Sequence, residues 1–324
     1  MIRCYRICDG VPQATGQKAG DPCDGGLVWC HVNGQEPDAL DWLKAQPGIP
    51  EIARNALLAR ETRPRADRIG DGEIVNLRGP GETPEDDPDD LVSVRFWAEA
   101  GRVISLGYNA PSAVETVTQD FMAGHILDPG DLLTAFAAAV THPLDEDVAA
   151  LGDELDEIEL RLERDHARAT RRCVNAVRGK AIRYRRFLVP QRDALERLSA
   201  SSHAWLDDHD RQHLRDAADR FARMAEELEA IRERSAIVHD ALTDMRAEII
   251  DGRALMLSIV ALIFLPLTFI TGLLGMNVEG IPYAKEPWAF WGVVGFCTAI
   301  GLAVLGWFVA RHWIAVRGAD DGVD

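Results

Sequence analysis

Apolar positions along this chain change period, and each change marks a different kind of element. Residues 26–32, 73–78, 91–99 and 102–108 are short runs rich in Val, Leu and Ile, which predict strands. Ala100-Gly101 between the last two predicts a hairpin turn. Helical stretches are expected over 38–60 and 112–142, with a Pro/Asp-rich loop at 80–90. Beyond Pro143 the spacing becomes three and four: Val148, Leu151, Leu155, Ile158 and Leu162 make one stripe. Asp145, Glu146 and Asp147 open it, as suits the positive end of a helix. Val174, Val177, Ala181, Tyr184 and Leu188 make a second stripe. It lies on a stretch (166–186) that carries eight Lys/Arg and no acidic residue. The first stretch is acidic, so the two helices are expected to pair antiparallel.

A third helix should start at Asp207 or Asp208, either of which can cap it. Phe221, Met224, Leu228, Ile231, Val238, Leu242, Met245 and Ile249 keep a heptad-like stripe. No proline interrupts before Pro266, so the helix is expected to run unbroken from about 207 to 275, on the order of 100 Å at 1.5 Å per residue. A helix that long cannot bury its stripe alone. It needs the two preceding helices and neighbouring subunits.

Its opposite face is of another kind. Asp251, Ala254, Ser258, Ala261, Leu265, Thr268, Gly272 and Gly275 follow one another at alternating spacings of three and four, nearly all small or polar. Extended backwards, the row becomes Ala247, Asp244, Asp240, Ile237, Glu233, Ala230 and Glu226. Small residues also suit close helix packing, and the acidic part alone would suit a solvated face. Repeated around a symmetry axis, the same row makes acidic rings leading to a narrow, weakly polar pore, and such rings concentrate cations.

Residues 254–278 and 287–310 contain no charged side chain, and each run exceeds the roughly 20 apolar residues that cross a bilayer. Only residues 279–286 join them, so the pair is expected to be a tight transmembrane hairpin. Arg246 and Arg253 precede the first span and Arg311 and Arg317 follow the second, which keeps both chain ends in the cytoplasm and the short loop outside. Trp288, Trp291, Trp307 and Trp313 stand near span ends, where interfacial aromatics belong.

Charge and cysteine usage narrow the partners. A net charge of −17 argues against nucleic acid and suits cations. The start, Met1-Ile2-Arg3-Cys4-Tyr5, lacks the apolar core of a secretory signal. Cys4, Cys8, Cys23, Cys30, Cys173 and Cys297 suggest no disulfide framework and fit a reducing compartment. The first four, with His31, offer thiolate and imidazole to zinc, but at spacings that match no zinc motif. The cluster His203, Asp207, Asp208, His209, Asp210 and His213 admits metal binding, though loop and helix-start capping accounts for the same residues. The N-terminal domain shows no nucleotide loop, nucleophile or paired catalytic group, so an enzyme is not expected and no covalent cofactor is implied.

The first span closes Thr271-Gly272-Leu273-Leu274-Gly275-Met276-Asn277, preceded by Phe264-Leu265-Pro266-Leu267-Thr268-Phe269. Gly275 could be a helix cap and Asn277 a turn residue. Gly-Met-Asn at the end of the first of two C-terminal spans, however, resembles the CorA family of metal-ion transporters. Arg215-Asp216-Ala217-Ala218-Asp219 and Leu188-Val189-Pro190-Gln191-Arg192 also stand in family-like positions. The likeness covers about 145–317 well and the N-terminal region loosely. It implies a homopentamer in which five long helices line one pore. Asn277 would ring the outer mouth with Gly275, Met276 and Glu279 around it, Leu265 would form an apolar constriction, Thr268 a hydroxyl ring, and Asp251 the cytoplasmic entry. Asp216 matches a position that carries regulatory metal in the magnesium branch. Leu273-Leu274-Gly275, Val278, Gly280, Ile281 and Pro282 resemble the zinc-transporting ZntB branch, whereas Met276 and Glu279 lean towards magnesium and cobalt.

The expected architecture is an α+β cytoplasmic domain (1–143), a helical bundle and stalk (144–253), a pore-lining transmembrane helix (254–278), an external loop (279–286), a second transmembrane helix (287–310) and a cytoplasmic tail (311–324). The expected function is divalent-cation transport in a bacterial inner membrane, zinc first and magnesium or cobalt second. A membrane-anchored scaffold or signalling protein is the competing class. It leaves the polar row within the span unexplained.

Overall fold

The computed structural model describes residues 2–16, 26–60, 63–81, 91–109, 112–162, 167–277, 281, 283 and 286–320. The chain divides into two compact units, Met1–Leu242 and Thr243–Asp324. The first is built on a seven-stranded sheet whose strands, in chain order, are β1 (Ile2–Cys8), β2 (Val11–Gly16), β3 (Leu27–Asn33), β4 (Arg65–Ile69), β5 (Gly72–Gly79), β6 (Val92–Glu99) and β7 (Arg102–Gly107). They lie side by side as β2-β1-β3-β7-β6-β5-β4. Every neighbouring pair is antiparallel except β3 and β7. The β6–β7 turn holds Gly101 at φ 73°, the left-handed region that Gly enters without steric cost.

Side chains alternate across this sheet, so both faces are apolar and both need cover. On one face Val28, Cys30, Val32, Ile74, Trp97, Ile104 and Leu106 pack with α1 (Pro37–Lys44) and α2 (Glu51–Leu58). On the other, Leu27, Trp29, Val75, Leu77, Phe96 and Val103 pack with α3 (Ser112–Met122), α4 (Pro129–Leu162), α5 (Ala167–Ser199) and the first half of α6 (Asp208–Leu274). The aromatic centre of that face is Trp29, with Phe136 edge-on at 5.6 Å and Tyr5 stacked at 5.1 Å between ring centroids. His31 shares it, its Nδ1 2.8 Å from Ser105 Oγ, which also accepts from Trp29 Nε1 at 2.9 Å. Burial, then the charge of Arg3, lowers the His31 pKa to about 4, so the ring is neutral at physiological pH.

Three features differ from the sequence reading. β1, β2 and β4 form strands where none was expected. α4 runs unbroken through Pro143 instead of starting after it. Its buried stripe continues from Leu132, Leu133, Phe136 and Val140 straight into Leu144, Val148 and Leu151, so packing on both sides outweighs the bond that Pro143 cannot donate. Cys4 and Cys30 are joined in a disulfide, against the expectation of reduced thiols. The antiparallel register of β1 and β3 sets these residues directly opposite each other, Cα atoms 4.1 Å apart. As a bonded pair they are not available as thiolate ligands.

α4 and α5 do pair antiparallel. Lys180 of α5 reaches Glu154 of α4 at 4.0 Å, and the Tyr184 hydroxyl donates to Asp147 at 3.2 Å. α6 joins them through Arg234, which bonds Asp156 and Glu159 at 2.6 Å each. The helices are locked to the sheet by Gln191, which is buried. Its side-chain amide exchanges two bonds with the Arg78 backbone, at 2.7 and 2.9 Å. β4 pairs with β5 only as far as Asn76, so Gln191 stands where the next residue of the edge strand would be. At the other end of β5, Glu73 is buried against Ser201 (3.1 Å) and His203 (3.0 Å), and burial holds its carboxyl above the usual carboxylate range against the pull of those bonds.

In the second unit the only described elements are the rest of α6 and α7 (Pro287–Asp320). Both contain windows long and apolar enough to cross a bilayer, and no residue in either window is buried within the chain. Phe264, Leu265 and Phe269 on α6 and Phe290, Trp291 and Phe296 on α7 stand exposed, a surface suited to lipid and to neighbouring helices.

Candidate ion pathway

α6 carries the candidate row, and the fold decides which way that row faces in each unit. In the first unit Met224, Leu228, Ile231, Val238 and Leu242 of α6 are buried against the bundle. The α-helical period then turns Glu226, Ala230, Glu233, Ile237 and Asp240 outwards, and all five are exposed. Ile237 is 69% exposed amid the carboxylates.

In the second unit Asp244, Asp251, Ala254, Ser258, Ala261, Leu265, Thr268 and Gly272 of α6 are likewise exposed. Ser258 Oγ donates to the Ala254 carbonyl at 2.9 Å and Thr268 Oγ1 to that of Phe264 at 2.7 Å. Each hydroxyl thereby spends its proton on its own helix and presents an oxygen, the atom a cation or its water shell seeks. Thr271 does the same towards Leu267 at 2.9 Å. Thr271 stands outside the alternating row, but its place three residues after Thr268 and beside Gly272 puts it on the same face.

The helix stops at Leu274, and the Gly275 amide still bonds the Thr271 carbonyl at 2.9 Å. A Cβ on Gly275 would lie 3.0 Å from that oxygen, so a larger residue would strain this close turn. Met276 and Asn277 follow, both exposed. Glu279 lies outside the described residues, as do Val278, Gly280 and Pro282. Asp216 is on the first-unit part of α6, exposed, with its Oδ1 accepting from Gln212 Nε2 at 2.9 Å.

This combination of a sheet-and-bundle unit, one 67-residue helix and two apolar spans with Gly-Met-Asn between them has known counterparts. A family model described as "CorA-like Mg2+ transporter protein" matches residues 24–311. The chain belongs to the CorA family of divalent-cation transporters. The family is one of transporters, not enzymes. The divalent cation transporter CmaX of Pseudomonas aeruginosa is 34% identical over 289 residues, covering 88% of this chain and 86% of that one. The zinc transport protein ZntB of Yersinia enterocolitica is 29% identical over 300 residues, covering 91% and 89%. Among solved structures, that of full-length CmaX superposes with a TM-score of 0.81 at 31% identity, covering 96% of each chain. The CorA fold and its membrane-spanning helices therefore apply to this chain over nearly its whole length.

Proposed function

We propose that this chain carries divalent cations, zinc preferred, across the bacterial inner membrane through a homopentameric pore lined by α6. The observation that carries the reading is the exposed row of α6, where carboxylates give way to small and hydroxyl residues as the helix becomes apolar. A helix facing only lipid gains nothing from Ser258, Thr268 and Gly272 on one line. Five copies around an axis would turn Glu226, Glu233, Asp240 and Asp244 into rings that gather cations from the cytoplasmic side. Asp251 would stand at the entry, Ala254, Ser258 and Ala261 in the passage, Leu265 at the constriction and Thr268 with Gly272 beneath the mouth. Gly275, Met276 and Asn277 would form the mouth itself, with Glu279 beside it. Divalent ions shed water reluctantly, so a ring of Asn277 amides would bind the hydrated ion through its water shell.

Basic residues flanking both spans support cytoplasmic chain ends and an external loop. The same reading makes 1–143 the cytoplasmic α/β domain, 144–253 the bundle and stalk, 254–278 and 287–310 the spans, 279–286 the loop and 311–324 the tail. Asp216 would serve as a regulatory metal ligand. Zinc is favoured by the relatives named as zinc transporters and by the sequence around Leu273-Leu274-Gly275. A magnesium or cobalt channel is the second reading, favoured by Met276 and Glu279.

Proteoliposomes loaded with a zinc- or magnesium-sensing dye test the choice of ion. Zinc entry is expected to outpace magnesium entry at equal concentration, and runs with and without a pH gradient show whether protons are coupled. Faster magnesium entry would hand the assignment to the second reading. Entry of neither ion would remove the transport claim.

A further inference from the structure

The outer faces of α4 and α5 carry opposite charge. On α4 the stripe Leu144, Val148, Leu151, Leu155 and Ile158 is buried, while Asp145, Glu146 and Asp153 lie outside it and are exposed. On α5 the buried stripe is Val174, Val177, Ala181, Tyr184 and Leu188. Arg171 and Arg186 are exposed outside it, and Arg178 is half-buried with its Nε lacking a hydrogen-bond partner. Little within the chain neutralises either set. Glu146 meets His142 at 3.8 Å. Among the described residues Asp145, Asp153, Arg171, Arg178 and Arg186 form no ion pair.

The two faces also lie on opposite flanks of α6. Arg234 of α6 reaches Asp156 and Glu159 of α4, and Glu229 of α6 meets Arg185 of α5 at 3.1 Å. At about 100° per residue, Glu229 stands about 60° to one side of the centre of the exposed Glu226–Asp240 row, and Arg234 about 80° to the other. The row therefore faces away from the bundle, between one flank that leads to α4 and one that leads to α5. A ring that turns this row towards its axis sets α4 of each copy beside α5 of the next.

Heights along the bundle match as well. The Tyr184–Asp147 and Lys180–Glu154 contacts fix the antiparallel register of α4 and α5. In that register Glu146 is level with Arg186, Asp153 with Arg178, and the exposed Ala149 with Ile182, which is 51% exposed. Rotation about an axis moves no residue along it, so levels shared within one chain are shared between neighbours.

We propose that the acidic face of α4 docks on the basic face of α5 of a second copy of this chain. The inference rests on the reading of α6 as the lining of a ring, and it names the surfaces that close that ring. A cyclic assembly needs two different, mutually complementary patches on every chain, and these faces supply them. Opposite charges at matched heights fix the register and the choice of neighbour. Ile182 of one copy then covers Ala149 of the next.

The test is charge reversal in the full chain in detergent, with dissociation followed on dilution. Arg171→Glu, Arg178→Glu, Arg186→Glu on α5, or Asp145→Lys, Glu146→Lys, Asp153→Lys on α4, is expected to raise the dissociation concentration at least about tenfold at low salt. Added salt should shrink the difference. A chain carrying both reversals should assemble nearly as well as wild type, a recovery that general damage to the fold would not give. An independent readout leaves the charges in place: chains bearing Ala149→Cys, co-expressed with chains bearing Ile182→Cys, should cross-link on mild oxidation, whereas neither should cross-link to wild type. Reversal variants that dissociate like wild type, a double reversal as weak as either single one, or no cross-link would overturn the interface. If wild type is a five-chain species in those experiments, the pore reading survives that failure; a monomeric wild type overturns both.

Discussion

Asn277→Ala is expected to reduce zinc flux to the background of protein-free vesicles while leaving folding and assembly unchanged. Asn277 follows the end of α6 and is exposed, so its removal leaves no cavity in the first unit's core. The proposed work of the side chain is to replace part of an ion's outer hydrogen bonding with a ring of amides. Magnesium-like ions hold water tightly, and an alanine ring offers nothing to that shell, so the ion would face a bare apolar mouth. The measurement is dye-reported zinc entry by variant protein that elutes and melts like wild type. Normal flux in such protein would remove the selectivity ring from the account.

Replacing Asp240, Asp244 and Asp251 together with Asn is expected to slow flux by roughly tenfold and to weaken its dependence on ionic strength. Asn matches Asp in size, and all three carboxylates are exposed, so the helix should persist. If the row lines a funnel, these charges raise the local cation concentration. At about 0.15 M salt the Debye length is about 8 Å, so added salt should slow wild type and leave the variant nearly unaffected. If the row faces open solvent, neither rate nor salt response should change. Equal behaviour would assign the acidic face to solvent and leave the pore resting on its membrane half.

Much of this was legible in the sequence because burial on two faces leaves continuous apolar runs. β3, β5, β6 and β7 are central strands, and their Val, Leu and Ile content announced them. β4, reading Arg-Ala-Asp-Arg-Ile, lies at the sheet edge and carries the charges that protect such an edge from further pairing, so its composition hid it. β1 was hidden by Arg3 and Arg6, whose alternation with Cys4, Tyr5 and Ile7 makes sense only once β2 and β3 flank it. Pro143 read as a boundary because local propensity ends a helix there, whereas the stripe shared by Val140 and Leu144 carries it through. The Cys4–Cys30 bond could not be read from a separation of 26 residues, since strand register creates it. On the candidate site, the α-helical period puts Glu226 to Asp240 on one face, and that face is exposed in the chain. The histidine cluster was visible only as a group. Which members cap a helix, which is buried and which two face a cavity depends on β5 and α4, over 40 residues away in the chain for α4 and over 100 for β5.

The claim that organises all of this is that five copies of α6 enclose one pore. The mass of the native assembly in detergent tests it most directly, after subtraction of bound lipid. A single species of five chains is the result this account predicts. A monomer or a dimer would contradict it, because neither can close the row from Glu226 to Asn277 into a channel.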